Sequence, residues 1–492
     1  MIGLEIHVQL ATHTKLFTAV ANASGNLRPG APPPEPNSAV DAQILGLPGT
    51  LPVINKTAVE HSIKVGLSLG CKINQFTKWD RKSYYYPDLP KNYQISQYDL
   101  PLCYEGAMTV PDETGIAQTI RIRRAHLEED AGKLLHEAPG GFLIDHSIVD
   151  LNRAGTPLLE IVTEPDFTSA KQVVLFAQEL QKRVQFLGVS HAQMQLGQMR
   201  FEPNINLHIT DTHGAVHKTA ITEIKNLNSF SVLERATGYE IARQLREWEE
   251  TGTLGKKSTY GWDESTQTTF HQRDKEEAND YRYFPDPDLV PVIIDDVWLT
   301  ELKSQVGESP AQRRERYATA LGLSAADAAA LAADRGVGDF YESTLKHGAD
   351  AKRVANLLIN VVQKLANDRN HSVAEIGLEA SQLADVAKLI DASKIGASSA
   401  LPLFEKLLSC GGNALTAHYV EQLAQEMGLV QSSDTTAVDA AIDLLIAENP
   451  KSLQDFRAGK QAALGALVGM IMKSMKGLNP KVVQERLRQK LA

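Results

Sequence analysis

In Gly3-Leu4-Glu5-Ile6-His7-Val8-Gln9-Leu10 apolar and polar residues alternate, so a strand there would turn Glu5, His7 and Gln9 to one face and Leu4, Ile6, Val8 and Leu10 to the other. A carboxylate, an imidazole and an amide in a row are ligands for a cation. The same alternation is also that of an ordinary strand facing water. A second strand is expected over residues 120 to 130, with Arg124, His126 and Glu128 pointing one way. It ends in Glu128-Glu129-Asp130, and neighbouring carboxylates repel one another unless solvent or a cation screens them. A hard divalent ion such as Mg²⁺ would resolve the repulsion by taking carboxylate oxygens together with phosphate oxygens and water. Three solvated acids at a strand end account for the run equally well.

Acid beside base recurs twice more, as Arg200 with Glu202 and as Glu223 with Lys225 on half-exposed alternating segments. That is what a nucleotide phosphate plus a metal requires, and it is also how a plain cross-strand ion pair reads. Residues 80 to 101, DRKSYYYPDLPKNYQISQYDLP, hold five tyrosines with Lys82 and Lys91. Interleaved rings and cations can stack a purine or an aminoacyl-adenosine end while lysine holds phosphate. Tyrosines at the edge of a core give the same composition.

These residues need a scaffold of strands backed by helices. Up to about residue 290 β-branched and aromatic residues recur at period two, broken by turns such as RPGAPPPEPN at 28 to 37. Helical spacing appears at 58 to 69, 169 to 188 and 228 to 252, the last two ending at Gly188 and Gly252. The fold class is therefore α+β. A proline-dense stretch at 283 to 294 closes this region, and beyond it alanine and leucine rise at helical spacing. We expect domains at 1–294, at 295–410 (all-helical) and at 411–492, a small helical tail after Gly411-Gly412.

Length and composition exclude several classes. A chain of 492 residues has room for two or three cores, and its 43% hydrophobic and 22% charged content is that of a globular protein. Three cysteines without CxxC spacing suggest neither a disulfide framework nor a thiolate metal site, which fits a reducing compartment. No apolar run of membrane-spanning length and no leader pattern stands out, favouring a bacterial-type cytoplasm, although the alternation beginning at residue 2 leaves room for codons upstream. A net charge of -10 argues against bulk nucleic-acid adhesion, yet residues 457 to 492 carry eight Lys or Arg against the single acid Glu485. Such asymmetry points to a polyanionic partner, or to a solvated helix face.

Eight segments in one order, GLEIHVQL, LGLPGTLPV, DRKSYYYPDLPKNYQISQYDLP, HLEEDAGK, DLNRAGTPLLEIV, TEIKNLNSF, DYRYFPDPDL and ALGALVGMIMKSMKGLNP, resemble the GatB family of tRNA amidotransferases over nearly the whole chain. The resemblance implies a cradle domain related to glutamine synthetase, then a helical domain and a YqeY-like tail. It implies ATP-dependent phosphorylation of the side-chain carboxylate of Glu-tRNA(Gln), Asp-tRNA(Asn) or both, followed by amidation with ammonia. It implies Glu5, His7 and Glu128 as ligands of a catalytic Mg²⁺, with Glu223 and Glu160 as acidic neighbours. Glu128, Lys82, Arg200 and Glu202 would form the catalytic set, and Lys82, Arg200 and Lys225 would steady phosphates. Tyr84, with Lys82, Lys225 and Asn226, would line the pocket for ATP and the tRNA 3′ end.

In the tail, Lys473, Lys476, Lys481 and Arg486 become expected contacts to tRNA phosphates. Two departures from the family matter. Where many relatives hold zinc through cysteines this chain has Thr18, Val20, Asp41 and Ile44, so no zinc is expected. Arg200-Phe201-Glu202-Pro203 keeps an acid where relatives have aspartate but adds a methylene. No glutaminase signature is present, so ammonia is expected from the amidase subunit GatA, usually accompanied by the small GatC. A tRNA-binding adaptor without chemistry and a free-standing ammonia ligase are the competing readings.

Overall fold

A computed structural model describes residues 1–138, 142–274, 278–369, 371–410, 419–431, 435–448, 465, 467–471 and 480–491. Two compact units divide the chain, Met1–Ser309 and Pro310–Ala492. The first is built on a nine-stranded sheet. Its strands run, in spatial order, Thr268–Asp274, Ser258–Asp263, Thr222–Lys225, Met199–Ile205, Ile2–Gln9, Pro157–Thr163, Ala117–Glu129, Cys103–Pro111 and Lys72–Ile73. Only Thr222–Lys225 and Ser258–Asp263 are parallel neighbours.

The N-terminal strand Ile2–Gln9 is central, antiparallel to Pro157–Thr163 on one side and to Met199–Ile205 on the other. Leu4, Ile6 and Val8 are fully buried in one core with Val173, Phe176, Leu180 and Leu233, from helices Ala170–Phe186 and Phe230–Thr251. Burying such a side chain is worth roughly 1.5–3 kcal/mol. A one-residue slip would drive Glu5 and His7 into that core instead, so the alternation pins the register. The helices begin where the sequence places them. The Ser169 and Ser229 hydroxyls accept from the backbone N–H groups of Gln172 and Val232, and Gly252, at φ 67°, closes the longer helix in the left-handed conformation.

Helix Asp296–Val306 belongs to this unit. Its Leu302 joins the first core, and the Trp298 indole N–H donates to Glu60 of helix Lys56–Ser68 at 3.1 Å. The unit therefore runs to Ser309, past the composition change near residue 295 by the length of that helix.

The loop after the first strand is held by polar contacts as well as packing. Here the Thr18 hydroxyl donates to the Asp41 carboxylate, whose other oxygen accepts from Ile44 N at 3.0 Å. Lys15 lies fully buried beside them, its ammonium donating to the Ala39 carbonyl at 2.6 Å. Burial pushes the Lys15 amine down to about 8, against the opposing pull of Asp41, Glu129 and Asp150. An unfolded lysine titrates near ~10.4. Between those values the unfolded chain binds more protons, so stability rises with pH there. Urea midpoints of the isolated chain are expected to climb from about pH 8 to about pH 10 relative to Lys15→Met, which should lack that increment. Parallel pH curves for the two proteins would contradict it.

The second unit is helical. Tyr317, Leu331, Tyr341, Leu358, Leu383 and Phe404 form its main core. Residues 411–418, where a division is expected from the sequence, lie outside the described residues, and beyond them helix Tyr419–Glu426 adds Val420 and Leu423 to that core. A separate small core gathers Val438, Ile442, Leu467, Ile471, Val483 and Leu487. Among the described residues no helix is long and apolar enough to cross a membrane.

Candidate active site

Opposite the helices, strand register assembles a polar stripe. His126, Glu160, His7 and Arg200 stand directly across from one another on four neighbouring strands. Two residues along, Glu5 pairs with Glu202, and Asn204 with Glu223. Cross-strand partners share a face, so five strands contribute side chains to one surface.

The acids separate into two groups. His7, Glu128 and Glu160 form one, Glu5, Glu202 and Glu223 the other, and in each the candidate ligand atoms lie within 4.8 Å of one another. The His7 ring lies between them, with Nε2 3.5 Å from Glu160 and Nδ1 4.0 Å from Glu202. His126 Nε2 is 3.6 Å from both Glu128 and Glu160. Burial opposes a charge on His7, but Glu160 and Glu202 outweigh it and push the imidazole up to about 9. Burial likewise opposes charge on Glu128 and Glu160, yet the nearby imidazoles and Lys82 hold both carboxyls below the usual range.

A hard cation fits this donor set. Around Mg²⁺ with bonds of ~2.1 Å, adjacent ligand atoms lie about 3 Å apart and opposite ones about 4 Å, so the side chains need only a small contraction. Five carboxylates to one imidazole is an oxygen-rich site, as such an ion takes. His7 would have to lose its proton to ligate the cation, and its buried Nδ1 makes no hydrogen bond that would hold that proton in place. The four acids and one histidine expected around the metal, Glu5, Glu128, Glu160, Glu223 and His7, lie with Glu202 of the expected catalytic set in two adjoining groups rather than one, Glu5 being apart from His7 and Glu128.

Glu128, Glu129 and Asp130 are only 2%, 3% and 5% exposed, which rules out a solvated strand end. Each acid has its own compensation. Glu128 accepts from the Ser96 hydroxyl at 2.8 Å on the site face. Glu129 is ion-paired to Lys91 and accepts from Ile95 N at 3.0 Å. Asp130 takes both arms of Arg200, at 3.0 and 3.1 Å, and the Gln9 amide at 2.8 Å.

Two of the cations expected to face phosphate are therefore engaged by protein carboxylates. Arg200 is forked onto Asp130, and Lys225 lies 2.5 Å from Glu202 and 3.8 Å from Glu223. Against burial, Lys225, His7 and Arg200 hold the Glu202 carboxyl at about 2. Lys82 differs. Its ammonium is raised above the ordinary lysine value, despite burial, by Glu128, Tyr283, Glu160 and Tyr84, and among the described residues it makes no direct ion pair.

Tyrosines surround Lys82. Its nitrogen lies 4.9 Å from the Tyr281 ring centre and 5.9 Å from that of Tyr84. Asn226 ends its strand in the left-handed conformation, φ 67°, and is exposed. Of the four tail cations, Lys473 and Lys476 lie outside the described residues, as does the Lys481 side chain. Arg486 forks onto Asp439, tying the last helix Pro480–Leu491 to Thr435–Glu448.

Sequence reasoning left several of these partners without a role. Asp130 as the anchor of Arg200, Ser96 beside Glu128, Asn204 donating to Glu5 at 3.1 Å and Thr259 donating to Glu223 at 2.9 Å all depend on strand pairing. Tyr281 and Tyr283 did carry a signal, since both sit in DYRYFPDPDL, but nothing local says that they meet Lys82.

Residues 1–300 match the family model described as the GatB/GatE catalytic domain, and residues 339–491 match one described as GatB domain. The chain is 42% identical, over all of its length and 98% of the relative's, to the B subunit of the aspartyl/glutamyl-tRNA(Asn/Gln) amidotransferase of Carboxydothermus hydrogenoformans. It is also 42% identical to the protein of the same name in Synechococcus elongatus, covering 97% of that protein, and 40% identical to that of Caldicellulosiruptor saccharolyticus, covering 98%. With a family model over more than half its length and full-length relatives at this identity, the chain belongs to the GatB family, the B subunits of tRNA amidotransferases.

Proposed function

We propose that this chain activates the side-chain carboxylate of Glu-tRNA(Gln), Asp-tRNA(Asn) or both with ATP, and then amidates it. The observation that carries the reading is the polar stripe itself: two groups of ligand atoms, bridged by His7, beside a lysine without a direct ion pair. A carboxylate resists ammonia because it is anionic and lacks a leaving group. Transfer of the γ-phosphoryl group to its oxygen, with departure of ADP, supplies one; attack of ammonia on the carbonyl carbon then expels phosphate and leaves the amide.

In this reading Glu5, His7, Glu128, Glu160, Glu202 and Glu223 would hold Mg²⁺, which would supply charge neutralisation at the phosphate oxygens. Lys82 reaches the transferred phosphoryl oxygens from the tyrosine side. Arg200 and Lys225 act by fixing Asp130, Glu202 and Glu223 in position, and so keep the ligand groups spaced before substrate arrives. Tyr84, with Asn226 at the rim, lines the space for the aminoacylated adenosine. The front domain is a glutamine-synthetase-related cradle, and the YqeY-like tail holds tRNA. Ammonia comes from an amidase partner, GatA, with GatC completing the complex.

The test is ATP hydrolysis by the assembled complex with and without misacylated tRNA. Misacylated tRNA is expected to stimulate phosphate release at least tenfold over correctly charged tRNA, because only the former presents the carboxylate. A chain that binds both tRNAs but releases no phosphate would be an adaptor.

A further inference from the structure

We propose that Arg81 is a positioning residue for the reaction: by clasping Asp286 and Asp288 on the far face of its strand, it fixes the segment that lays Tyr281 and Tyr283 beside Lys82, and so sets where that ammonium stands. The inference rests on the reading above, in which Lys82 meets the transferred phosphoryl group.

Two of the ordered sequence segments, DRKSYYYPDLPKNYQISQYDLP and DYRYFPDPDL, meet here. Strand Asp80–Ser83 pairs with Tyr93–Ser96 on one side and with only two residues on the other, Phe284 opposite Arg81 and Pro285 opposite Asp80. So short a pairing, half of it a proline without an N–H, fixes a segment weakly. Arg81 adds a second hold. Its Nε donates to Asp286 and its Nη2 to Asp288, each at 2.8 Å, across 205 and 207 residues of sequence. The Asp286 side chain is fully buried, its other oxygen accepts from Asp288 N at 2.8 Å, and its own N–H donates to the Trp79 carbonyl at 2.9 Å. The guanidinium also lies 4.3 Å from the centre of the Tyr93 ring. A lysine could neither fork onto two carboxylates nor stack in this way.

Neighbouring residues of a strand point to opposite faces, so Arg81 is turned away from the side on which Lys82 meets Glu128 and Glu160. It reaches the chemistry only through the segment it clasps. In that segment Tyr281 stands with its ring centre 4.9 Å from the Lys82 nitrogen, and Tyr283 stacks on Tyr98 at 4.4 Å with the planes 13° apart. A buried ion pair often adds no stability over apolar groups of the same volume, so what the clasp contributes is geometry. Geometry matters here, because a displacement of about 1 Å at a reacting group can cost on the order of a hundredfold in rate.

The experiment reads phosphate release by the assembled complex as ATP and misacylated tRNA are varied, with glutamine hydrolysis by the partner as the check on assembly. Arg81→Met is expected to lower kcat about tenfold or more while KM for ATP and for misacylated tRNA stays within about threefold. Arg81→Lys, which keeps one ion pair, should fall between Arg81→Met and wild type. Because Arg81 acts through the two tyrosines, adding Arg81→Met to Tyr281→Leu/Tyr283→Leu should cost less than about a further twofold. Asp288→Ala removes one arm of the clasp at a half-buried carboxylate and decides the case if Arg81→Met does not assemble; its kcat should fall about threefold with the urea midpoint of the isolated chain unchanged. An unchanged kcat in Asp288→Ala, a loss confined to KM, or full multiplication of the losses in the triple variant would each overturn the assignment. Should the wild-type complex release no phosphate in response to misacylated tRNA, the underlying reading fails as well; where it does, only Arg81 is in question.

Discussion

Glu128→Ala is expected to lower ATP-dependent amidation by the assembled complex on the order of a thousand-fold, while glutamine hydrolysis by the partner changes little. Glu128 stands in the ligand group with His7 and Glu160, and Ser96 holds it there at 2.8 Å. Removing it subtracts one anionic ligand and leaves the charge of Lys82 less balanced. A structural contribution is separable from the chemical one. Glu128→Gln keeps the shape and an oxygen for the Ser96 hydroxyl but lacks the charge, so it should be almost as inactive as the alanine variant while unfolding like wild type. Activity within a few-fold of wild type in either variant would remove Glu128 from the site.

The second large effect is on stability. Asp130→Ala should destabilise the isolated chain by about 3 kcal/mol, read as a shift of the urea midpoint. The carboxylate is 5% exposed and takes three hydrogen bonds from side chains, two from Arg200 and one from Gln9. Truncation strands the guanidinium in a poorly solvated place. The figure is taken at the low end of what a broken buried pair costs because the Arg200 side chain keeps 26% exposure and so recovers some hydration. Asp130→Ala/Arg200→Met removes both charges and is expected to regain part of the loss. A double variant no better than the sum of two single losses would show that the pair itself contributes nothing specific.

Both expectations arise from one property of the sheet. Arg200 with Asp130 and Lys91 with Glu129 hold acids that lie outside the ligand groups, whereas Lys225 engages Glu202 and Glu223 within one of them. Lys82 is set apart by the rings of Tyr84 and Tyr281, which hold a cation through their faces and leave its N–H donors available.

The alternation in residues 3 to 10 was enough to predict a strand with Glu5, His7 and Gln9 on one face, since that face follows from the two-residue repeat and from the apolar partners that must be buried. Helical stretches beginning at 169 and 228 and a stop at Gly252 were legible from apolar spacing and the closing glycine, both local rules, whereas the capping serines Ser169 and Ser229 were seen only in the fold. Ordered family motifs told what chemistry to look for. Only the tertiary structure decided which acid meets which cation. Glu128, Glu129 and Asp130 are neighbours in sequence, yet they look respectively to Ser96, Lys91 and an arginine 70 residues away. Likewise only the fold divided six ligands into two groups and carried Tyr281 to Lys82. A strand's faces are settled by its own repeat, whereas its neighbours are chosen by the register of the whole sheet, and that register is set by burial of the core rather than by any residue of the site.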